Sequence, residues 1–292
     1  LGVDCFAWNV ANRDLVDALH ARALDRVTLV AGRMADLRRF GGAWHLVLDD
    51  DRILKADLVV AADGKRSAVR AALRIGARRH DYGQVANTAR LEITGDHDNV
   101  STEVHEAGGP FTTVPAGPHA VSLVWLQPKG AGERVAALDD AAFLDAVEAE
   151  DGGRHGRFTA VSGRAAVPIT SLLAHRLCAP GAVLLGEAAH AVSPLGAQGF
   201  NLTLRDCAAL GELAAHPRFT SADALKGYER ARLAETRMYF WFIDALNRAV
   251  QRREAPVNML LGAGMQAVHA MAPIRREVME RLMQPRPLAL AS

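Results

Sequence analysis

The stretch Val183–Asp206, VLLGEAAHAVSPLGAQGFNLTLRD, decides how this chain is read. Its apolar start predicts a buried strand that ends on Gly186 and an acid, Glu187. A small-residue turn carrying His190 follows, stiffened by Pro194, which fixes φ and removes a donor. Gly196 and Gly199 then open an amphipathic helix through Phe200, Asn201, Leu202 and Leu204. A carboxylate at a strand end can accept hydroxyl groups, and a helix N-terminus offers bare N–H groups to negative charge. Glycine is needed where a side chain would block the approach of a flat ligand.

Gly186, Ala188, Ala189, His190, Pro194, Gly199, Asn201 and Asp206 fall in register with a known pattern. It resembles the second FAD-binding motif of the flavin-dependent aromatic hydroxylases, which share the p-hydroxybenzoate hydroxylase fold. One position departs from it: Glu187 stands where the family has Asp. The charge is kept and the reach grows by a methylene, so a small backbone shift is expected. Two stretches, WNVANRDLVDAL from Trp8 and PLGAQGFNLTLRDCAAL from Pro194, are most similar to the ubiquinone-biosynthesis hydroxylases.

Two further segments extend the resemblance. In FAWNVANRDLVDALHARAL, Asn12 is expected to cap a helix running to Arg22, with Leu15, Val16, Leu19 and Leu24 at helical spacing. The resemblance implies that Arg13 lies near the FAD phosphates; the alternative is a surface arginine in a first helical turn. In DLVVAADGKRSAVR, residues 57–70, an apolar strand leads to Asp63 and Gly64, and Ser67 precedes a helix with Val69 and Arg70. In relatives this motif lies beside the FAD pyrophosphate and is implicated in NAD(P)H use. An Asp-Gly pair alone is a common turn.

The resemblance implies a mixed α/β (α+β) fold: a partial FAD-binding, Rossmann-like domain, an inserted antiparallel substrate sheet and C-terminal helices. The domain bounds expected are 1–77 with 169–215 for FAD, 78–168 for substrate and 216–292 for the helical region. No G-x-G-x-x-G follows a first strand in this sequence. An N-terminal βαβ segment of roughly a hundred residues is therefore expected to be missing. Strands are expected at 27–30, 43–49, 52–55, 86–94, 100–106, 110–114, 120–127 and 163–168, with a helix at 138–150.

With 292 residues, half of them hydrophobic, and a formal net charge of +1, the chain can bury a sizeable core and is not built to capture nucleic acid. Three scattered cysteines, Cys5, Cys178 and Cys207, form no C-x-x-C pair and suggest no disulfide framework. The histidines show no metal-ligand spacing, so no metal is expected. No secretory signal is read, and a cytoplasmic protein is expected, with contact at the inner membrane as an option. Val257–Ala272, apolar around much of a helix and followed by Arg275, Arg276 and Arg281, fits either such a peripheral membrane contact or a core helix.

The function implied is an FAD-dependent monooxygenase. It would use NAD(P)H and O2 to hydroxylate an aromatic ring, on a polyprenylated phenol or quinol precursor of ubiquinone biosynthesis. The cofactor-binding residues expected are Arg13, Asp63, Gly64, Gly186, Glu187, Pro194, Gly196, Gly199, Phe200 and Asn201. Backbone N–H groups around Gly199 would face the flavin N1–C2=O edge. The cofactor carries the difficult chemistry, so no side chain is assigned catalysis beyond His190 as a candidate. A hydrogen-bonding role for His190 in setting the turn is preferred, and Asp206 is expected to secure a neighbouring backbone group or arginine. Arg205 is expected to be a surface neighbour. Thr112, Thr113, Val114 and Trp125 are expected to shape the substrate pocket. The alternatives are a hydroxylase of soluble aromatics, a related epoxidase or reductase, or an inactive fragment acting only as an interaction module; the partners expected are a small aromatic or prenylated substrate, with contact to quinone-pathway proteins as an option.

Overall fold

The computed structural model describes residues 7–106, 108–215, 217–251, 264, 266 and 270–283. Most of the apolar segment 257–272 lies outside them, as does Pro256. In chain order the elements begin with α1 (Asn12–Leu24) and the strands β1 (Met34–Phe40), β2 (Ala43–Leu48), β3 (Ile53–Ala56) and β4 (Val59–Ala61). A short helix, α2 (Ala68–Ala72), precedes β5 (Ala77–Ile93), β6 (Thr102–Glu106), β7 (Gly109–Pro115) and β8 (Ala120–Pro128). Helices α3 (Lys129–Ala136) and α4 (Asp140–Asp151) lead to β9 (Phe158–Ala174), β10 (Cys178–Ala179), β11 (Ala182–Leu184) and β12 (His190–Ala191). The last described elements are α5 (Gln198–Ala214), α6 (Ala222–Gln251) and α7 (Ala272–Met283).

These elements form two compact units. The first takes residues 7–28, 81–169 and 248–283, and the second takes 29–80 and 170–247.

In the first unit β9, β5, β8, β7 and β6 lie side by side in that order. Antiparallel register sets Leu91 opposite Val121 and Ala89 opposite Leu123, and Thr113 lies across from Leu123 on the other side. Because side chains alternate between faces, these positions share one face, with Phe111 and Trp125. That face packs on Phe143 and Val147 of α4. Each such fully buried large apolar side chain contributes about 1.5–3 kcal/mol. Asp139 starts α4 by accepting the N–H of Ala142 at 2.8 Å. Gly152 ends it in the left-handed conformation, φ +65°.

In the second unit β1, β2 and β3 make an antiparallel meander. A separate small sheet runs β10, β11, β4, with β11 parallel to β4: Ala182 pairs with Val59, Val183 with Val60 and Leu184 with Ala61. Ala182, Val183 and Leu184 are wholly buried, which is why this strand reads as an unbroken apolar run.

Two local expectations are corrected, and one helix is added. Residues 27–30 are not a strand; the meander starts at Met34, where pairing with β2 begins. Ala11, not Asn12, is the N-cap of α1, and it offers no side-chain cap. Helix α3 was not expected, since Gly130 and Gly132 weaken helix propensity. Gly132 is there because a Cβ would come within 2.9 Å of the Val85 side chain.

Candidate functional site

Parallel pairing of β4 with β11 brings the two sequence motifs together. Leu185 N–H donates to the Ala61 carbonyl at 2.9 Å, so the turns that follow both strands leave the same sheet edge. In open parallel sheets, ligands bind outside the carboxyl ends of the strands.

The first turn is Asp63–Arg70. Asp63 Oδ2 accepts the Val69 N–H at 3.1 Å, and Ser67 Oγ accepts the Arg70 N–H at 2.9 Å, so both side chains cap α2. The buried Arg70 guanidinium donates to the Lys65 carbonyl at 2.8 Å and to the Ala188 carbonyl at 2.7 Å. Arg70 thus stitches the first turn to the second. Lys65 Nζ lies 3.8 Å from Glu187 Oε1, both side chains being partly exposed. Gly64 has φ +82°, and a Cβ there would meet nothing within 4 Å.

The second turn starts at Gly186, φ +57°, where a Cβ would press on Thr203 of α5 at 3.1 Å. The Thr203 hydroxyl donates to the Gly199 carbonyl at 3.2 Å, which places the strand end one turn from the helix start. Asp206, inside α5, accepts the Gly186 N–H at 3.2 Å and the His190 ring Nε2 at 2.6 Å on one oxygen. Its other oxygen accepts Arg232 Nε at 2.8 Å. Burial resists ionisation of this carboxyl, but the His190 hydrogen bond and the Arg232 charge outweigh it and hold Asp206 below the usual carboxylate range. An ionised Asp206 requires the proton on Nε2 of His190, and His190 Nδ1 has no hydrogen-bond partner. Arg232 also pairs with Glu235, which pairs with Arg205 at 2.6 Å. Arg205 is therefore no surface bystander: it is buried within this ion network.

Ahead of α5 the chain passes Pro194 and Gly196, φ +66°, to Ala197, φ +52°. A left-handed alanine costs about 1–2 kcal/mol, and strain of this kind clusters at ligand sites. Ala197 gives α5 no side-chain cap. Gln198 is buried, its Nε2 on the Gly196 carbonyl at 2.8 Å and its Oε1 without a partner. A Cβ on Gly196 would meet nothing within 4 Å, and one on Gly199 would meet only Val192 at 3.8 Å. Phe200 is exposed, and Asn201 Nδ2 donates to the Ala197 carbonyl at 3.1 Å. An open glycine surface, an uncapped helix start, an exposed carboxylate and an orphaned buried amide oxygen suit a flat, polar-edged ligand with hydroxyl groups.

Nine of the ten expected binding residues, from Asp63 to Asn201, and the candidate His190 belong to the second unit. Arg13 belongs to the first, exposed on α1 and 3.9 Å from Asp17. Trp125 and Thr113 are buried on the α4 side of the sheet. Trp125 meets Phe111 edge-on, with ring centroids 5.6 Å apart, in the core against α4, and Thr113 is buried on that same face. Thr112 and Val114 point to the opposite face and are half-buried. Among the described residues no cluster of three His, Cys, Asp or Glu is placed to hold a metal ion. No described helix is long and apolar enough to cross a membrane.

Two parallel strands opening onto glycine turns and an uncapped helix define a flavin-binding class of protein. The chain belongs to the FAD binding domain family, whose pattern it matches over residues 13–239. It is 34% identical to a ubiquinone hydroxylase, UbiL, of Rhodospirillum rubrum, over 94% of this chain and 66% of that protein. It is 26% identical to the 3-demethoxyubiquinol 3-hydroxylase of Escherichia coli, over 93% of this chain and 70% of that one. In fold it is similar to the anhydrotetracycline hydroxylase OxyS of Streptomyces rimosus, with a TM-score of 0.70 at 19% identity, covering 94% of this chain and 56% of that one. The chain thus spans about half to two thirds of the length of most of the relatives it matches.

Proposed function

We propose that this chain acts as an FAD-dependent monooxygenase that hydroxylates the ring of a polyprenylated phenol or quinol precursor of ubiquinone, using NAD(P)H and O2. The observation that carries the reading is the uncapped start of α5, with Gly196 just before it and Gly199 in its first turn both open, and with Gly186, the neighbour of Glu187, packed on Thr203. The two ubiquinone-pathway relatives support the substrate class.

Bound FAD would supply electron transfer from NAD(P)H and activation of oxygen. The Glu187 carboxylate would accept ribityl hydroxyls, with Lys65 beside it offsetting its charge. The N–H groups of Gly199, Phe200 and Asn201 would stabilise negative charge on the flavin pyrimidine edge, helped by the α5 dipole. Pro194 and Gly196 would shape the loop against the ring. Asp63, which caps α2, and Gly64 would serve the phosphate end of FAD; a phosphate role for Arg13 rests only on the resemblance of its segment to the family. His190 holds the turn rather than moving a proton. Residues 78–168 bind substrate, with Thr112 and Val114 on the face away from α4. Contact with a membrane surface would bring the enzyme to a lipid-tailed substrate.

The test is oxygen consumption by the flavin-loaded protein with NADH or NADPH. A prenylated phenol should raise it above the rate without substrate and give a product 16 mass units heavier, one oxygen atom. FAD that binds and is reduced with no hydroxylated product would contradict the assigned activity.

A further inference from the structure

The buried ion network ends on Arg232, a residue that belongs to neither glycine motif. We propose that Arg232 is a positioning residue for FAD: acting through Asp206, it fixes the turn that carries Glu187. The proposal rests on the reading of that turn as the flavin site.

Glu187 sits on a turn held from both ends. On its far side the Ala188 carbonyl accepts Arg70 at 2.7 Å, and Ala189 N–H returns to the Gly186 carbonyl at 2.8 Å. On its near side the Gly186 N–H is held by Asp206 at 3.2 Å. The Asp206 carboxylate is 1% exposed and so needs a cation; Arg232, also 1% exposed, provides it at 2.8 Å. The same guanidinium reaches the Leu202 carbonyl at 3.4 Å and Glu235, so it also fixes α6 against α5. Its position on the buried stripe Leu225, Tyr228, Arg232, Thr236 and Phe240 leaves solvent no part in the exchange.

With Arg232 removed, Asp206 has two ways to shed the burial penalty. It can take a proton, which withdraws an acceptor from the turn, or it can swing away from Gly186 towards solvent. Either change alters His190 Nε2–H···Asp206 and frees the Gly186 end of the turn. Glu187 then samples positions that do not meet the ribityl chain.

The full chain with Arg232→Met, Arg232→Lys and the double change Arg232→Met with Asp206→Leu tests this. Two quantities are read: the FAD dissociation constant from flavin fluorescence, and the His190 ring-nitrogen shifts from 15N-histidine NMR in the absence of FAD. Arg232→Met should weaken FAD about tenfold or more, the scale of losing one charge-assisted hydrogen bond. The His190 ring-nitrogen shifts should move away from those of the unmodified chain, because the Nε2–Asp206 hydrogen bond is altered. Arg232→Lys, which keeps the charge, should recover most of the affinity and the original shifts. The double variant, apolar on both sides, should fold yet still bind FAD weakly. Should Arg232→Met fail to fold, Arg232→Lys and the double variant decide. Unchanged FAD affinity with unchanged ring-nitrogen shifts in Arg232→Met, or full affinity in the double variant, would overturn the proposal. Loss of FAD binding by the unmodified chain would instead overturn the flavin reading, while the change in ring-nitrogen shifts would still report the Arg232–Asp206–His190 linkage.

Discussion

The Arg70 guanidinium donates a 2.7 Å hydrogen bond to the carbonyl of Ala188, 118 positions further along the chain. The residue that closes the Asp63 motif thereby grips the turn behind Glu187. Each motif alone is a common turn; the bond makes them one site. Arg70 is 3% exposed, so its loss leaves two carbonyls without their donor. Arg70→Met should cost about 2–3 kcal/mol in urea unfolding and weaken FAD in parallel. A stable variant with unchanged FAD affinity would show that the two turns do not depend on one another.

Asp206 makes stability depend on pH in a defined direction. Its folded pKa is lowered, so its contribution is complete above the unfolded value of about 3.9 and is lost as pH falls through the lower folded value. Asp206→Asn breaks a buried pair and should destabilise the chain by about 3 kcal/mol near neutrality. The gap between the two proteins in urea unfolding should hold from about pH 5 upward and shrink below about pH 4. A gap that stays constant into strong acid would contradict the assignment.

Glu187 departs from the aspartate of the motif, and Lys65 lies 3.8 Å from it. Glu187→Asp should bind FAD at least as well as the unmodified chain. Glu187→Ala should bind it about tenfold or more weakly by calorimetry, through loss of a charged acceptor. Markedly weaker binding by the aspartate variant would mean that the longer side chain has an adapted role with Lys65.

Burial, and then the negative Glu229, push the Cys178 thiol up to about 12, and its Sγ donates to the Leu225 carbonyl at 3.4 Å. At pH 8 almost no thiolate exists there, so iodoacetamide should modify Cys178 only as fast as the chain unfolds. Mass spectrometry over a urea series should show its labelling following the unfolding transition. Labelling of the native chain at the rate of a free thiol would contradict this burial.

The stretch from Val183 to Asp206 was legible because its residue types each serve a backbone need. Gly186 sits at positive φ against Thr203, and Gly196 bends the chain into α5. The sheet was legible from alternation in β7 and β8, but its faces were not. Trp125 looked like a pocket residue, and only the placement of α4 shows which face is core. The ion network was missed because Arg205, Glu235 and Arg232 meet through tertiary packing, which leaves no local pattern. One signal was available: on the helical stripe from Leu225 to Asn247, Arg232 is the one cationic residue, with Asp244 the other charge. A charge on a buried face demands a buried partner.

The central claim is that a flat cofactor lies against the start of α5, and Gly199 tests it most directly. A Cβ there meets only Val192, at 3.8 Å, so the protein itself has room for a Cβ at this position. Gly199→Val should keep the thermal unfolding midpoint within a few degrees of the unmodified chain, a change under about 1 kcal/mol. In a flavin fluorescence titration the same variant should lose FAD binding by about a hundredfold or more, the scale of a steric cost near 3 kcal/mol. A folded Gly199→Val protein that binds FAD as tightly as the original would contradict the account.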